Sequence, residues 1–318
     1  MNNILSHRSV LITGGGGFVG ANLTRKFLDL DYDVHLIWKH TTNPWRIKEI
    51  MKKIKLHEVS LSDRESLTKL INSIKPNAIY HLAAHGAYPT QIDIDQMVDV
   101  AIKGTLNLLV ASKNVDYDIF VNTGSSSEYG LKEKPMSETD LLEPLTFYAA
   151  TKASSTYLSQ VFAKQYNKPV ATFRLFSAYG PYEQPTRFIP TIIKRALSNQ
   201  SINITAEDIS HDFIHIDDVV DAYILAIKHK DKLFGRIVNV GSGMQYTNFE
   251  VAKMILPIVG NNVDIVRESY PKRPWDSNYW VADTKLSEKL LGFKPKNNLK
   301  SGLSKTIDWI KKNSNLYL

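Results

Sequence analysis

The stretch FYAATK places the phenol of Tyr148 and the ammonium of Lys152 four residues apart. On a helix that spacing puts both side chains on one face. An ordinary phenol gives up its proton near pH ~10. A lysine ammonium one turn away stabilises the phenolate and draws the value toward neutrality. Such a tyrosine can exchange a proton with a hydroxyl or carbonyl while hydride moves elsewhere. A second reactive run is NTGSSSEYG, residues 122–130, with three successive serines and Glu128. A hydroxyl at that place suits redox or epimerisation, whereas a carboxylate suits elimination of water. Third, TGGGGFVG, residues 13–20, supplies Gly14, Gly17 and Gly20 three apart. Such glycines allow a tight turn and let backbone approach a pyrophosphate, which then sits at a helix N-terminus. Finally, His81/His85 and His211/His215 share a spacing found in zinc sites. Each pair overlaps a predicted strand end, so no metal is expected.

These groups need a scaffold, and the sequence predicts one. SVLIT is an apolar run that ends in the glycines. FVGANLTRKFLDL follows with Val19, Leu23, Phe27 and Leu30 on one helical stripe. DVHLIW, KLHEVSL, AIYHLAA, DIFVNTG and VATFRLF read as further strands. DRESLTKLINSI, with Asp63 as N-cap, VDVAIKGTLNLLVASKN and YAATKASSTYLSQVFAKQY read as helices between them. Apolar strands alternating with amphipathic helices predict an α/β fold, a Rossmann doubly wound parallel sheet. Beyond residue 176 the pattern is irregular, which predicts a smaller C-terminal α/β lobe. The expected division is 1–175 plus about 213–242 for the dinucleotide domain, and about 176–212 plus 243–318 for the lobe.

Composition excludes several classes. The chain has 318 residues, no cysteine and a formal net charge of +7. Its lysines are spread out and do not alternate with aromatics, so nucleic acid is not an expected partner. Apolar runs are too short for a membrane span, and no signal peptide is read at the start. A cytoplasmic location is expected.

The motifs TGGGGFVG, YHLAA, KGTLNLL, YAATK, RLFSAYGP, RFIPTII, DFIHIDDVVDAY, NVGSG and RPWD together resemble the extended short-chain dehydrogenase/reductases that act on nucleotide sugars. The resemblance spans nearly the whole chain. It implies a Ser–Tyr–Lys triad, NAD(P) as cofactor, a nucleotide-diphosphate sugar as substrate, and a homodimer built through a four-helix bundle. Counting five residues back from Gly130, as in the family, selects Ser125 beside Tyr148 and Lys152. Ser126 is the alternative hydroxyl and a substrate contact. A dehydratase carries its acid two residues past the catalytic hydroxyl, where this chain has Ser127. Glu128 lies one further, so elimination is disfavoured. The implied cofactor contacts are Thr13, Gly14, Gly17, Phe18, Val19 and Gly20, then Lys39, His40, Leu61, Leu82, Ala83 and Ala84, with Tyr148 and Lys152. The implied substrate contacts are His85, Ser126, Ser177, Arg187, His211 and Arg273.

Two departures bear on specificity. NAD-dependent relatives end the second strand in an acid that takes the ribose hydroxyls. Here no acid occurs from Leu36 through Arg46, and Lys39 and His40 are basic, so NADP is expected, with NAD as the alternative. Ala101 stands where relatives often carry an asparagine, Ser177 replaces a common sugar-contacting asparagine, and Ser60 occupies the usual adenine-contacting aspartate position. The resulting expectation is a 4-ketoreductase of a 4-keto-6-deoxy sugar nucleotide, similar to CDP-abequose and CDP-paratose synthases. A 4-epimerase with tightly held NAD is the alternative; a dehydratase or a non-catalytic NADP-binding regulator is less favoured.

Overall fold

The computed structural model describes residues 8–88, 90–206, 208–271 and 273–317. Its first part runs β1 (Ser9–Thr13), α1 (Phe18–Asp29), β2 (Asp33–Trp38), β3 (Lys55–Glu58), α2 (Arg64–Ile74), β4 (Ala78–His81), α3 (Ile94–Val98), α4 (Thr105–Ser112), β5 (Ile119–Ser125), α5 (Phe147–Tyr166) and β6 (Val170–Leu175). Then come β7 (Ser177–Tyr179), α6 (Phe188–Leu197), β8 (Ile202–Asn203), β9 (Ser210–His211), β10 (Phe213–His215), α7 (Ile216–Lys228) and β11 (Ile237–Val240). The remainder is β12 (Tyr246–Thr247), α8 (Asn248–Val259), β13 (Ile265–Val266), α9 (Lys285–Leu291), α10 (Leu299–Lys312) and α11 (Ser314–Tyr317).

Seven strands form one sheet in the order β11-β6-β5-β4-β1-β2-β3. The pairs β1–β2, β1–β4, β2–β3 and β4–β5 are parallel. Parallel strands covered on both faces carry continuous apolar runs, and Val10, Leu11 and Ile12 are fully buried. Leu11, Ile79 and Phe120 pack with Leu67 and Ile71 of α2, Leu108 of α4 and Phe162 of α5. On α1, Leu23 and Phe27 of the expected stripe are buried, but Leu30 is past the helix end and exposed. The expected helix over 98–114 contains one irregular turn. Between α3 and α4, residues Asp99–Gly104 take the wider π spacing. There the Thr105 hydroxyl donates to the Ala101 carbonyl at 2.6 Å, and Gly104 comes so close to Leu61 that an added Cβ would meet the Leu61 Cβ at 3.2 Å.

The chain divides into two units. The first holds residues up to Glu128, Thr146–Arg174 and Val220–Val238; the second holds Tyr129–Leu145, Leu175–Val219 and residues from Asn239 on. This differs from the expected division at 129–145 and 213–219, and local pairing gives the reason. Met136 pairs with Ala282, and its amide donates to the Val281 carbonyl at 2.9 Å. β10 pairs in parallel with β7, and the Asp218 carboxylate accepts from the amides of Lys296 (2.8 Å) and Asn297 (3.1 Å).

Candidate active site

The strand order reverses between β1 and β4, and such a switch point opens a crevice at the carboxyl ends of both strands. Thr13 ends β1 and His81 ends β4. Gly14 has φ +70°, and a Cβ there would stand 2.6 Å from the Ala83 nitrogen. A Cβ on Gly20 would stand 2.2 Å from the Gly14 carbonyl oxygen. Only glycine lets the backbone fold this tightly. Gly17 is the N-cap of α1; no side chain caps that end and its first turn, from Phe18 and Val19, holds no acid. A bare helix N-terminus beside a glycine cradle suits a pyrophosphate, so these residues fit a dinucleotide.

Hydrogen-bond directions around His81 follow from one another. Thr105 Oγ1 donates to the Ala101 carbonyl, so it accepts from His81 Nε2 at 2.9 Å. His81 Nδ1 then accepts from Thr13 Oγ1 at 2.7 Å, and that oxygen accepts the Ala83 amide at 3.2 Å. Burial, reinforced by the Lys152 charge, pushes the His81 imidazole down to about 3. The neutral ring thus ties β1 to the segment Leu82–Ala84. Its nitrogens are both engaged, and the ring does not act with His85 as a metal pair. Leu82 and Ala83 are half-buried and Ala84 exposed.

Ser125 is the last residue of β5, and its Oγ lies 2.7 Å from Ser127 Oγ. Ser126 is buried. Tyr148 and Lys152 lie in the first turns of α5, which Thr146 caps by accepting from the Ala149 amide at 3.1 Å. Tyr148 is half-buried and lies near Tyr223, whose buried hydroxyl is 2.7 Å from Thr123 Oγ1 on β5. Burial, with Tyr148 close by, pushes the Tyr223 phenol up. Lys152 is buried, and burial pushes its ammonium down to about 8, opposed by the Glu128 carboxylate. The structure therefore brings the serine run, the phenol and the ammonium to the end of β5.

Glu128 lies within a 3₁₀ turn, Ser126–Tyr129, rather than in an extended segment. The turn sends its carboxylate inward, where it is fully buried against Arg174 Nε at 2.8 Å. Sequence reading missed this pairing, because nothing in SSSEYG marks the turn.

At the end of β2, Lys39 and His40 are exposed. The register sets Glu58 of β3 opposite Trp38, and His40 Nδ1 lies 3.1 Å from Glu58 Oε1. A carboxylate from the neighbouring strand thus stands where the β2 sequence shows only bases. Arg46 is buried, with its guanidinium 4.2 Å from the Trp45 ring centroid. Leu61 is half-buried, and its carbonyl accepts from Asn107 Nδ2 at 2.9 Å, a support that only the tertiary structure reveals. His85 is half-buried; its Nε2 is buried with no hydrogen-bond partner among the described residues.

The other expected substrate contacts belong to the second unit. The Ser177 amide donates to the Asp212 carbonyl at 3.0 Å. The buried Asp212 carboxylate accepts from Ser242 N (2.7 Å), Gly243 N (2.9 Å) and Ala282 N (3.1 Å), fixing the loops around it. His211 packs 5.6 Å from the Phe213 ring. Burial pushes His211 down to about 4, opposed by Asp276 and aided by Arg187, so it is neutral near pH ~7. Arg187 caps α6 and is exposed; Arg273 is exposed, and its amide donates to Asp276 Oδ2 at 2.9 Å. Arg187, Asp276 and His211 thus form one charged neighbourhood. His215 Nδ1 lies 3.3 Å from the Asp217 carboxylate, and its Nε2 is buried with no hydrogen-bond partner among the described residues.

Sheet order, glycine cradle and tyrosine–lysine helix define an enzyme of the extended short-chain dehydrogenase/reductase class. The chain belongs to the NAD dependent epimerase/dehydratase family, whose model matches residues 10–241. UDP-glucuronate 4-epimerase of Thermodesulfobacterium geofontis is 28% identical, over 96% of this chain and 97% of that protein. The crystal structure of UDP-glucuronic acid 4-epimerase from Bacillus cereus, in complex with UDP-glucuronic acid and NAD, has a TM-score of 0.85 and 27% identity, covering 96% of this chain and 99% of that one. UDP-glucose 4-epimerase of Thermotoga maritima, solved with UDP-glucose, has a TM-score of 0.88 at 24% identity, covering 96% and 99%, and shares the fold. Among the described residues no helix is long and apolar enough to cross a membrane.

Proposed function

We propose that this enzyme is a nucleotide-sugar 4-epimerase using NAD. The observation that carries the reading is a proton-transfer pair, Tyr148 and Lys152 on α5, beside a β5 end whose only acid, Glu128, is buried against Arg174. Epimerisation needs one group that takes a proton and returns it; elimination needs a further acid facing the sugar.

Held by the glycine cradle, a bound NAD would supply the hydride acceptor and donor for C4 of the sugar. Tyr148, as the phenolate, takes the proton of the C4 hydroxyl as the carbonyl forms. Tyr148 gives that proton back when the carbonyl is reduced, so atoms and electrons balance over the cycle. Lys152 stabilises the phenolate by its charge, and Ser125 donates a hydrogen bond to the same oxygen. Thr13, Gly14, Gly17, Phe18, Val19 and Gly20 hold the pyrophosphate, and Leu61, Leu82, Ala83 and Ala84 line the rest of the cofactor. His85 and Ser126 contact the sugar. Arg187 and Arg273 are the proposed diphosphate ligands, through planar bidentate bonds. His211 and Ser177 contribute as neutral donors. The enzyme works in the cytoplasm as a homodimer.

NAD is favoured by the Glu58 carboxylate beside His40 and by the NAD-bound B. cereus relative. A second reading, 4-ketoreduction by NADPH, is favoured by exposed Lys39 and by the absence of an acid on β2 after Asp33. The test is incubation with UDP-glucose and UDP-glucuronic acid plus NAD, with products separated by chromatography. Interconversion of the 4-epimers without net NADH supports the proposal. No interconversion, together with NADPH consumption by a 4-keto-6-deoxy sugar nucleotide, overturns it in favour of the reductase.

A further inference from the structure

Glu128 is the most deeply buried acid of the first unit and has no part in the steps above. Its two oxygens divide their partners. Oε1 accepts the backbone amide of Ser125 at 2.8 Å. Oε2 accepts from Thr156 Oγ1 at 3.0 Å and from Arg174 Nε at 2.8 Å. Thr156 lies one helical turn beyond Lys152 on α5; Arg174 lies on β6. Gly124 leaves room for the group, since a Cβ there would stand 2.6 Å from Oε1.

We propose that Glu128 is the positioning residue of this active site: one buried carboxylate holds both the strand end that presents Ser125 and the helix that presents Tyr148 and Lys152, and its negative charge supports the Lys152 ammonium one helical turn from Thr156. The inference rests on the roles proposed above for Ser125, Tyr148 and Lys152. The chemistry is that of a counter-ion. An ammonium without water is costly unless an anion offsets the lost hydration. Arg174 balances the carboxylate, so no net charge is buried by the pair. A mechanical tie would need only a neutral hydrogen-bond acceptor; a carboxylate opposite an ammonium also sets that ammonium's charge state. Lys152 is pushed down to about 8 by burial even with Glu128 opposing, so the group stands close to losing its proton at working pH.

The test uses Glu128→Gln, which keeps an oxygen for the Ser125 amide and removes the charge. Lysine labelled with ¹³C at Cε reports the ionisation of Lys152 directly, with its signal assigned by its loss in Lys152→Met. This readout needs no substrate, so it stands even where the 4-epimerase reading fails. The Lys152 midpoint is expected to fall in Glu128→Gln, because the carboxylate is the charge that opposes its lowering; a fall of about one unit is a tenfold change in the ionisation equilibrium. In turnover, the alkaline limb of the kcat/KM profile moves to lower pH by the same amount, so kcat near pH ~7 falls about twofold and near pH ~8 about fivefold, with KM changed less. Where Glu128→Gln alone does not fold, the double variant Glu128→Gln with Arg174→Met removes both charges, and its Lys152 midpoint is still expected below that of the wild type. An unchanged midpoint in either folded variant overturns the proposal and leaves Glu128 as a structural ion pair.

Discussion

Lys152 is a charge held where water does not reach, and this has opposite consequences for stability and for chemistry. Its folded-state value, about 8, lies below its ordinary 10.5. A lysine lowered on folding binds fewer protons in the folded chain than in the unfolded one between those values. Stability from this group therefore rises with pH from about 8 to 10.5, and the burial cost is fully present below about 8. That cost is on the order of 3 kcal/mol at most. Lys152→Met should thus raise the resistance of the free protein to urea at neutral pH, by about 1–3 kcal/mol, while removing activity. A variant that is less stable and still inactive would mean that Lys152 is a net structural asset. For Tyr148→Phe the expectation is a kcat lower by about 10²–10⁴-fold, with the Kd for NAD changed less than about threefold. Full turnover in that variant would end its acid/base role. At this scale the sequence was half legible. Tyr148 and Lys152 could be read because a spacing of four is a statement about one helix face. Glu128 could not, because its direction depends on a 3₁₀ turn and on Arg174, 46 residues away. Glu58 escaped for the same reason: only the β2–β3 register brings it to His40.

Elements position these residues through their ends. β1, β4 and β5 finish at one edge of the sheet with Thr13, His81 and Ser125, and α1 and α5 begin beside strand ends. The turn from β1 into α1 has no spare volume. Gly20→Ala would drive a methyl to 2.2 Å from the Gly14 oxygen, against backbone that has nowhere to go. The loop must open, so NAD affinity should fall by at least about tenfold while the melting transition remains cooperative; calorimetric titration measures it. Unchanged affinity would show that the cradle does not hold the pyrophosphate. α5 is aligned by its cap, and Thr146→Ala should cost about 1 kcal/mol by urea unfolding. The elements of the sheet were legible because a strand buried on both faces leaves an unbroken apolar run, as in VLI and AIY, and the helices between them keep their period. The π-spaced turn at Asp99–Gly104 was not legible. It goes with a Thr105 hydroxyl that bonds the Ala101 carbonyl four residues back and with Gly104 approaching Leu61, and the second of these is a tertiary circumstance. Strands of two or three residues, such as β8, β9 and β13, are too short to carry any period.

At the scale of the whole molecule, one surface has apolar side chains that a single copy leaves in water. Tyr157 and Val161 on α5, one turn apart, are 54% and 57% exposed, and Phe147 on the same helix is 62% exposed. On the adjoining α4, Leu106 is 37% exposed. The two helices lie side by side, with Lys113 Nζ, just past α4, 4.1 Å from the Tyr166 ring on α5. Large apolar side chains gathered on neighbouring helices suit the homodimer proposed above. Two helices from each of two copies make a four-helix contact with twofold symmetry, in which the same patch meets itself. A stable contact of that kind buries roughly 800 Å² per partner, an area that two adjacent helix faces can supply. In the proposed dimer the consequence reaches the chemistry, because α5 carries Tyr148 and Lys152 nearer its N-terminal end, so docking the helix would restrain the residues that move the proton. Val161→Glu places a charge in the middle of this surface, where a second copy would bury it unpaired. Light scattering after size-exclusion chromatography should give a dimer for the wild type and a monomer for Val161→Glu at micromolar concentration. The monomeric variant should keep its NAD affinity within about threefold, since the glycine cradle is untouched, and lose turnover on the order of tenfold as α5 loosens. A wild-type monomer, or a Val161→Glu dimer, would show that α4 and α5 are not the association surface and that the restraint on α5 comes from Glu128 and Thr156 alone.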